Sequence, residues 1–198
     1  MSTFRPLLAR ASNATLVAMA VAARLRSGET LGDRVIKVDH SGEHGAVCIY
    51  SAQIWVARWR APGLVAKLIH FRAHELSHRT RFGAELQRRG LRRCRSYHLC
   101  GAGGFVLGLV TGLFGGGAIA ATTVAIERVV LRHLHEQIAA LEKLDTEAAE
   151  ALREIIHEEQ EHHDRSFAQL PSHSWATKLV DGVVAASTEV VIWLGMRL

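Results

Sequence analysis

Glu75-Leu76-Ser77-His78 and Glu159-Gln160-Glu161-His162 are two copies of one short pattern, a carboxylate and an imidazole three positions apart. On an α-helix, residues three apart share a face with a rise of about 4.5 Å, so each pair can reach one common centre. A lone pair of this kind arises by chance wherever Glu and His are frequent. The repetition gives it weight, because each copy follows a lone glutamate at the same interval. Glu43 lies 32 residues before Glu75, and Glu127 lies 32 before Glu159.

Helix signals around these residues fit a pair of antiparallel hairpins. The first helix reads from about Asp33 to Arg60 and stops at Ala61-Pro62-Gly63, with Pro62 suited to open the second. That second helix ends near Arg89-Gly90. Residues 118–144 read as a third, and Asp145-Thr146 as the cap of a fourth reaching Phe167 before Pro171. From Glu43 to Arg60 is about 26 Å and from Pro62 to Glu75 about 20 Å, so the two glutamates come to similar heights on the hairpin. The second half repeats this about the Lys143 to Asp145 turn. A duplicated helical hairpin, each half supplying Glu plus Glu-x-x-His, is the result.

Two lone carboxylates and two Glu-x-x-His pairs are the set by which four-helix bundles hold di-iron or di-manganese centres. The expected ligands are Glu43, Glu75, His78, Glu127, Glu159 and His162. Mixed carboxylate and imidazole ligation suits two iron ions, since no Cys is placed for a soft metal and the set is too rich in His for Mg or Ca. The fold expected is all-α: a ferritin-like four-helix bundle with additional membrane-associated helices. Apolar neighbours of Glu127 (Val124, Ala125, Ile126, Val129, Val130) argue against a solvated surface cluster.

Bulk composition agrees. At 198 residues, with 48% hydrophobic content and only 3 Pro, the chain suits one helical domain and is not disordered. Three cysteines, Cys48, Cys94 and Cys100, lack zinc spacing and fit a reducing compartment. A net charge of +5 suits nucleic acid or an anionic membrane. No aromatic-interleaved basic motif supports nucleic acid, so the membrane is the expected partner. Residues 1–28 carry Arg5, Arg10, Arg24 and Arg26 and no acid before Glu29, the composition of a transit peptide or of a basic helix on a membrane. We read 1–28 as a basic N-terminal segment and 29–198 as the ferritin-like di-iron domain.

The uncharged run Gly101 to Ile126 is long enough to cross a bilayer, but eight of its residues are Gly. Gly115-Gly116-Gly117 splits it into two short halves, and the second leads into Glu127. A monotopic, membrane-inserted segment satisfies both features. Trp175 to Leu198 reads as a last apolar segment packed on the bundle or the membrane.

Several neighbours of the six residues carry expectations of their own. Gly42 and Gly45 each cost a helix about 1 kcal/mol relative to Ala, which points to close approach of a neighbouring helix or substrate, or to a kink. Tyr50, two turns after Glu43, faces the same way. Asp39 and Glu158 are outer carboxylates able to orient metal-bound imidazoles. His44 and His163 point about 100° away from the adjoining ligands, and His133 is placed to line an access route.

With these residues in view, the sequence resembles the demethoxyubiquinone hydroxylases, di-iron monooxygenases of ubiquinone biosynthesis. The likeness runs over residues 34–197, through Arg34-Val-Ile-Lys-Val-Asp-His-Ser-Gly-Glu-His-Gly-Ala46, the Glu75 and Glu159 motifs, Thr123-Val-Ala-Ile-Glu127, Glu158-Glu-Gln-Glu-His-His-Asp164 and Val191-Ile-Trp-Leu194. The resemblance implies hydroxylation of a polyprenylated demethoxy-benzoquinone with O2 and electrons from NADH. It implies a peripheral, monotopic inner-membrane protein, on the bacterial cytoplasmic face or the mitochondrial matrix face. A homo-oligomer and contact with other ubiquinone-biosynthesis proteins are further expectations. Leu134 departs from the family, where a Tyr often follows His. No dinucleotide-binding glycine motif is present, so NADH acts through a shallow surface, the quinone or a separate reductase. Iron storage or ferroxidase activity on the same bundle is the rival reading, and a catalytically silent assembly subunit is another.

Overall fold

The computed structural model describes residues 23–170 and 175–198. Among these the secondary structure is helical throughout: α1 (Leu31–Arg60), a 3-10 turn (Pro62–Leu64), α2 (Val65–Arg88), α3 (Tyr97–Leu113), α4 (Gly116–Leu141), α5 (Thr146–Arg153), α6 (Ile156–Phe167) and α7 (Trp175–Gly195). The first half groups α2 and α3 against α1, and the second groups α5, α6 and α7 against α4. Contacts between α1 and α4 join the halves.

Local chemistry accounts for the ends. Thr30 accepts a hydrogen bond from the Asp33 amide while Asp33 accepts from that of Thr30, a reciprocal box that starts α1. Pro62 opens the 3-10 turn leading to α2, and Gly90 follows that helix with φ +65°. Asp145 caps α5 by accepting from the Ala148 amide, and Arg89 at the end of α2 clamps the same carboxylate through two nitrogens at 2.6 and 2.8 Å. The open end of the first hairpin is thereby tied to the turn of the second.

One segment departs from the sequence expectation. The fourth helix is broken after Arg153, so α6 starts afresh at Ile156, just ahead of Glu158 and Glu159. The residues beside the break, Leu152 and Ile155, are fully buried, and packing there outweighs helix continuity. The glycine-rich run is indeed divided, at Gly115 with φ +86°. Its first half, however, is seated on the bundle. A Cβ at Gly104 would stand 2.4 Å from the Gly45 carbonyl oxygen, and one at Gly108 would stand 2.3 Å from that of Ile49. Glycine four apart lets α3 approach the α1 backbone this closely. Gly45 thus has a neighbouring helix to explain it, while nothing in the structure explains Gly42.

Among the described residues no helix is long and apolar enough to cross a membrane. The outward side of α3 is nevertheless apolar, with Phe105, Val106, Val110, Leu113 and Phe114 exposed. Trp55 and Trp59 on the neighbouring α1 are exposed too, Trp59 by 85%.

Residues 1–22 of the basic N-terminal segment lie outside the described residues. Its remainder is tied down: the Arg24 amide donates to the Met196 carbonyl, and buried Arg34 donates to the carbonyls of Arg24 and Gly195 and to Glu29. Leu134 lies in the core cluster with Val38, Phe82 and Leu141. His133 pairs with Glu189, fastening α7 to α4.

Candidate metal centre

The four helices α1, α2, α4 and α6 each aim a buried carboxylate at the bundle interior: Glu43, Glu75, Glu127 and Glu159. His78 and His162 stand one turn beyond Glu75 and Glu159, and both are completely buried. Together they form two interlocked groups. In the first, Glu43, Glu75, His78 and Glu159 bring one potential ligand atom each within 4.8 Å of the others; in the second, Glu75, Glu127, Glu159 and His162 do the same. Glu75 and Glu159 belong to both. They are therefore placed between the two groups, with Glu43 and His78 to one side and Glu127 and His162 to the other.

Distances agree with this arrangement. His78 Nδ1 lies 2.9 Å from Glu159, 3.6 Å from Glu43 and 3.9 Å from Glu75. His162 Nδ1 lies 3.1 Å from Glu75, 3.7 Å from Glu159 and 3.8 Å from Glu127. Buried polar atoms normally find hydrogen-bond partners, yet His78 Nδ1, His162 Nδ1, Glu75 Oε1 and Glu159 Oε1 have none in bonding geometry. All four belong to these two groups. Four carboxylates with two neutral imidazoles carry the charge that two divalent cations balance, and burying such charges without cations is costly. The residues fit a pair of divalent metal ions.

Electrostatics without metal show the same strain. Burial pushes the Glu43 carboxyl well above its ordinary value, and nearby Glu75 pushes it further. Burial, reinforced by Glu127, raises Glu159 from 4.5 to about 7. Burial works the other way on the imidazoles, but surrounding carboxylates outweigh it: Glu159 and Glu43 bring His78 to about 12, and Glu127 and Glu75 bring His162 to about 11. Protons gather where cations would neutralise the cluster.

The next layer orients these groups. His78 Nε2 meets the Glu158 carboxylate at 2.5 Å, which is the outer role expected of Glu158. Tyr50 Oη donates to Glu127 Oε1 over 3.1 Å, and burial followed by Glu127 drives that phenol's pKa well up. Asp39 does not reach an imidazole: it accepts from Gln137 on α4, and burial raises it to about 7. His44 stacks on Tyr97 and His163 pairs with Asp164, both away from the six. Sequence reasoning gave His74 no role, yet its Nδ1 lies 3.1 Å from His162 Nε2. The signal available was its place one turn before His78 on the same helical face.

Known proteins resemble this chain over most of its length. A family model for the ubiquinone biosynthesis protein COQ7 matches residues 30–195. A 3-demethoxyubiquinol 3-hydroxylase of Rhodospirillum rubrum is 32% identical over 171 residues, covering 86% of this chain and 80% of its own. The NADPH-dependent 3-demethoxyubiquinone 3-hydroxylase of human mitochondria is 32% identical over 170 residues, covering 84% of this chain and 77% of its own. The mouse protein of the same name is 32% identical over 169 residues, covering 83% and 77%. The match runs through all four carboxylate-bearing helices and into α7, and on it the chain belongs to the COQ7 family of ubiquinone biosynthesis proteins.

Proposed function

We propose that the protein hydroxylates a polyprenylated demethoxy-benzoquinone ring in ubiquinone biosynthesis, with Glu43, Glu75, His78, Glu127, Glu159 and His162 holding two iron ions. The carrying observation is the pair of interlocked groups sharing Glu75 and Glu159. Residues 29–198 then form one ferritin-like di-iron domain.

When bound by these six residues, an iron pair would supply reductive activation of O2. The balance is that a ring C–H becomes C–OH, the second oxygen atom leaves as water, two electrons and one proton come from a reduced nicotinamide, and the second proton comes from solvent. The names of the human and mouse relatives specify NADPH, where the resemblance alone implies NADH. The chain's own residues do the rest. Glu75 and Glu159 sit between the two positions, Glu158 steadies His78, and Tyr50 steadies Glu127. The fully buried side chains Phe71, Leu68 and Ile119 exclude water on one side of the cluster.

The apolar outward side of α3, with Trp55 and Trp59, supports a peripheral seat on a bilayer, from which a substrate with an apolar tail enters. The membrane face is the matrix face of mitochondria or the cytoplasmic face of bacteria. Assembly with a second copy or with other enzymes of the same pathway belongs to this reading. The family favours the hydroxylase over the iron-storage alternative. The test is anaerobic loading with two equivalents of iron(II), then O2, a reduced nicotinamide and a short-tailed demethoxyquinone. Hydroxylated quinone is expected; iron oxidation with no quinone product would favour the storage reading.

A further inference from the structure

Outside the six buried residues, a second kind of cluster stands at the surface. His70 and His74 lie one turn apart on α2 and face Glu161 on α6, and each of the three offers a potential ligand atom within 4.8 Å of the other two. His70 Nε2 is 3.6 Å from Glu161 Oε1, and the rings of His70 and His74 are 4.3 Å apart. His70 is 46% exposed at its side chain, so the cluster opens to water. On its inner side His74 stacks on His162, ring centroids 5.2 Å apart.

Two imidazoles and one carboxylate, with the remaining positions left to water, suit a first-row divalent cation such as Fe(II), Co(II) or Zn(II). A counter-ion already contends for the carboxylate: Arg165 Nη1 donates to Glu161 Oε1 over 2.7 Å. A cation arriving here must displace that guanidinium or take the other oxygen. This competition weakens binding and keeps the metal exchangeable, which a storage or structural site would not need.

We infer that His70, His74 and Glu161 form a third metal site, which takes a divalent cation from solution and passes it inward past His162 to the buried pair. The inward step rests on the proposed di-iron reading; the site itself does not. Its place suits the task. The buried positions are closed by fully buried side chains, whereas His74 touches both the surface cluster and His162.

Metal-free protein titrated anaerobically with Co(II) tests the site, read by visible absorption. Wild type is expected to bind three equivalents, the third weaker than the other two. His70→Ala, a change at an exposed position, should weaken that third equivalent about tenfold or more while leaving two. Arg165→Gln should tighten it. Iron(II) uptake followed by stopped flow adds the transfer step: His70→Ala should load more slowly at limiting iron and reach the same final content of two. Two equivalents in both proteins would overturn the site and leave the di-iron reading standing. A single equivalent, lost in His70→Ala, would support the site and sink the di-iron reading; none at all would sink both. Equal loading rates beside a confirmed third equivalent would overturn the transfer role.

Discussion

Tyr50 on α1 reaches across the bundle and hydrogen-bonds Glu127 on α4 over 3.1 Å, so the lone carboxylate of the second half is steadied by the first. Its hydroxyl leaves one direction of the Glu127 carboxylate for a cation. Tyr50→Phe keeps the ring and deletes only this bond. Iron affinity, measured by competition with a chelator, should fall by about tenfold, the usual scale for an outer hydrogen bond to a metal ligand. Thermal stability should change little in comparison.

Glu127→Gln keeps volume and hydrogen-bonding capacity but removes one of four charges balancing two cations. Iron content and quinone hydroxylation should fall sharply, with helix content by circular dichroism intact. The metal-free variant should lose part of the proton affinity of His162, which Glu127 helps raise to about 11. Equal turnover at equal folded concentration, with iron still bound, would refute the ligand role.

Stability of the metal-free protein should decline as pH rises. Glu159 is raised from 4.5 to about 7, so its folded form holds a proton its unfolded form has lost, and the resulting penalty grows between those values. His78 and His162, raised from 6.5 to about 12 and about 11, contribute stability that is complete below 6.5 and declines above it. All three act in one direction; His40, lowered by burial to about 4, opposes them only up to about pH 6.5, so the midpoint of thermal unfolding should drop from pH 6.5 to pH 8. Metal displaces these protons. Loading at pH 7 should therefore release protons, detectable by calorimetry in buffers of different ionisation heat, and should flatten the pH dependence.

Gly108→Val tests the seat of α3. Its first added atom would stand 2.3 Å from the Ile49 carbonyl oxygen, a backbone atom that cannot swing aside. Overpacking of this kind costs about 1–3 kcal/mol, and thermal unfolding should fall accordingly. Gly103→Val, where nothing stands within 4 Å, is the control and should gain the modest difference in helix propensity between Val and Gly.

The matched 32-residue intervals made the six buried residues legible in the sequence, because helical periodicity and chain length together set their heights. Pro62, Gly90 and Asp145 marked helix ends through local chemistry, which sequence carries well. The break at Glu154-Ile155 was hidden, since it comes from packing of Leu152 and Ile155 against distant residues. The close seat of α3 on α1 was hidden for a related reason, since Gly104 and Gly108 meet backbone atoms of Gly45 and Ile49 far away in the chain. His74 went unassigned because its partner, His162, is 88 residues away in the chain.

Glu75 and Glu159 each belong to both four-residue groups, and this has a mechanical consequence. Neither hairpin contains a complete group: the first lacks Glu159, and the second lacks Glu75. A cation on either side must grip both hairpins at once. The free energy of metal binding is then spent on the seam between the halves, since only the closed arrangement offers a full set of donors. Removing metal should loosen the molecule along α1 and α4 before either hairpin unravels, so amides facing that seam should gain hydrogen exchange first, while those at the Arg89–Asp145 clamp stay protected.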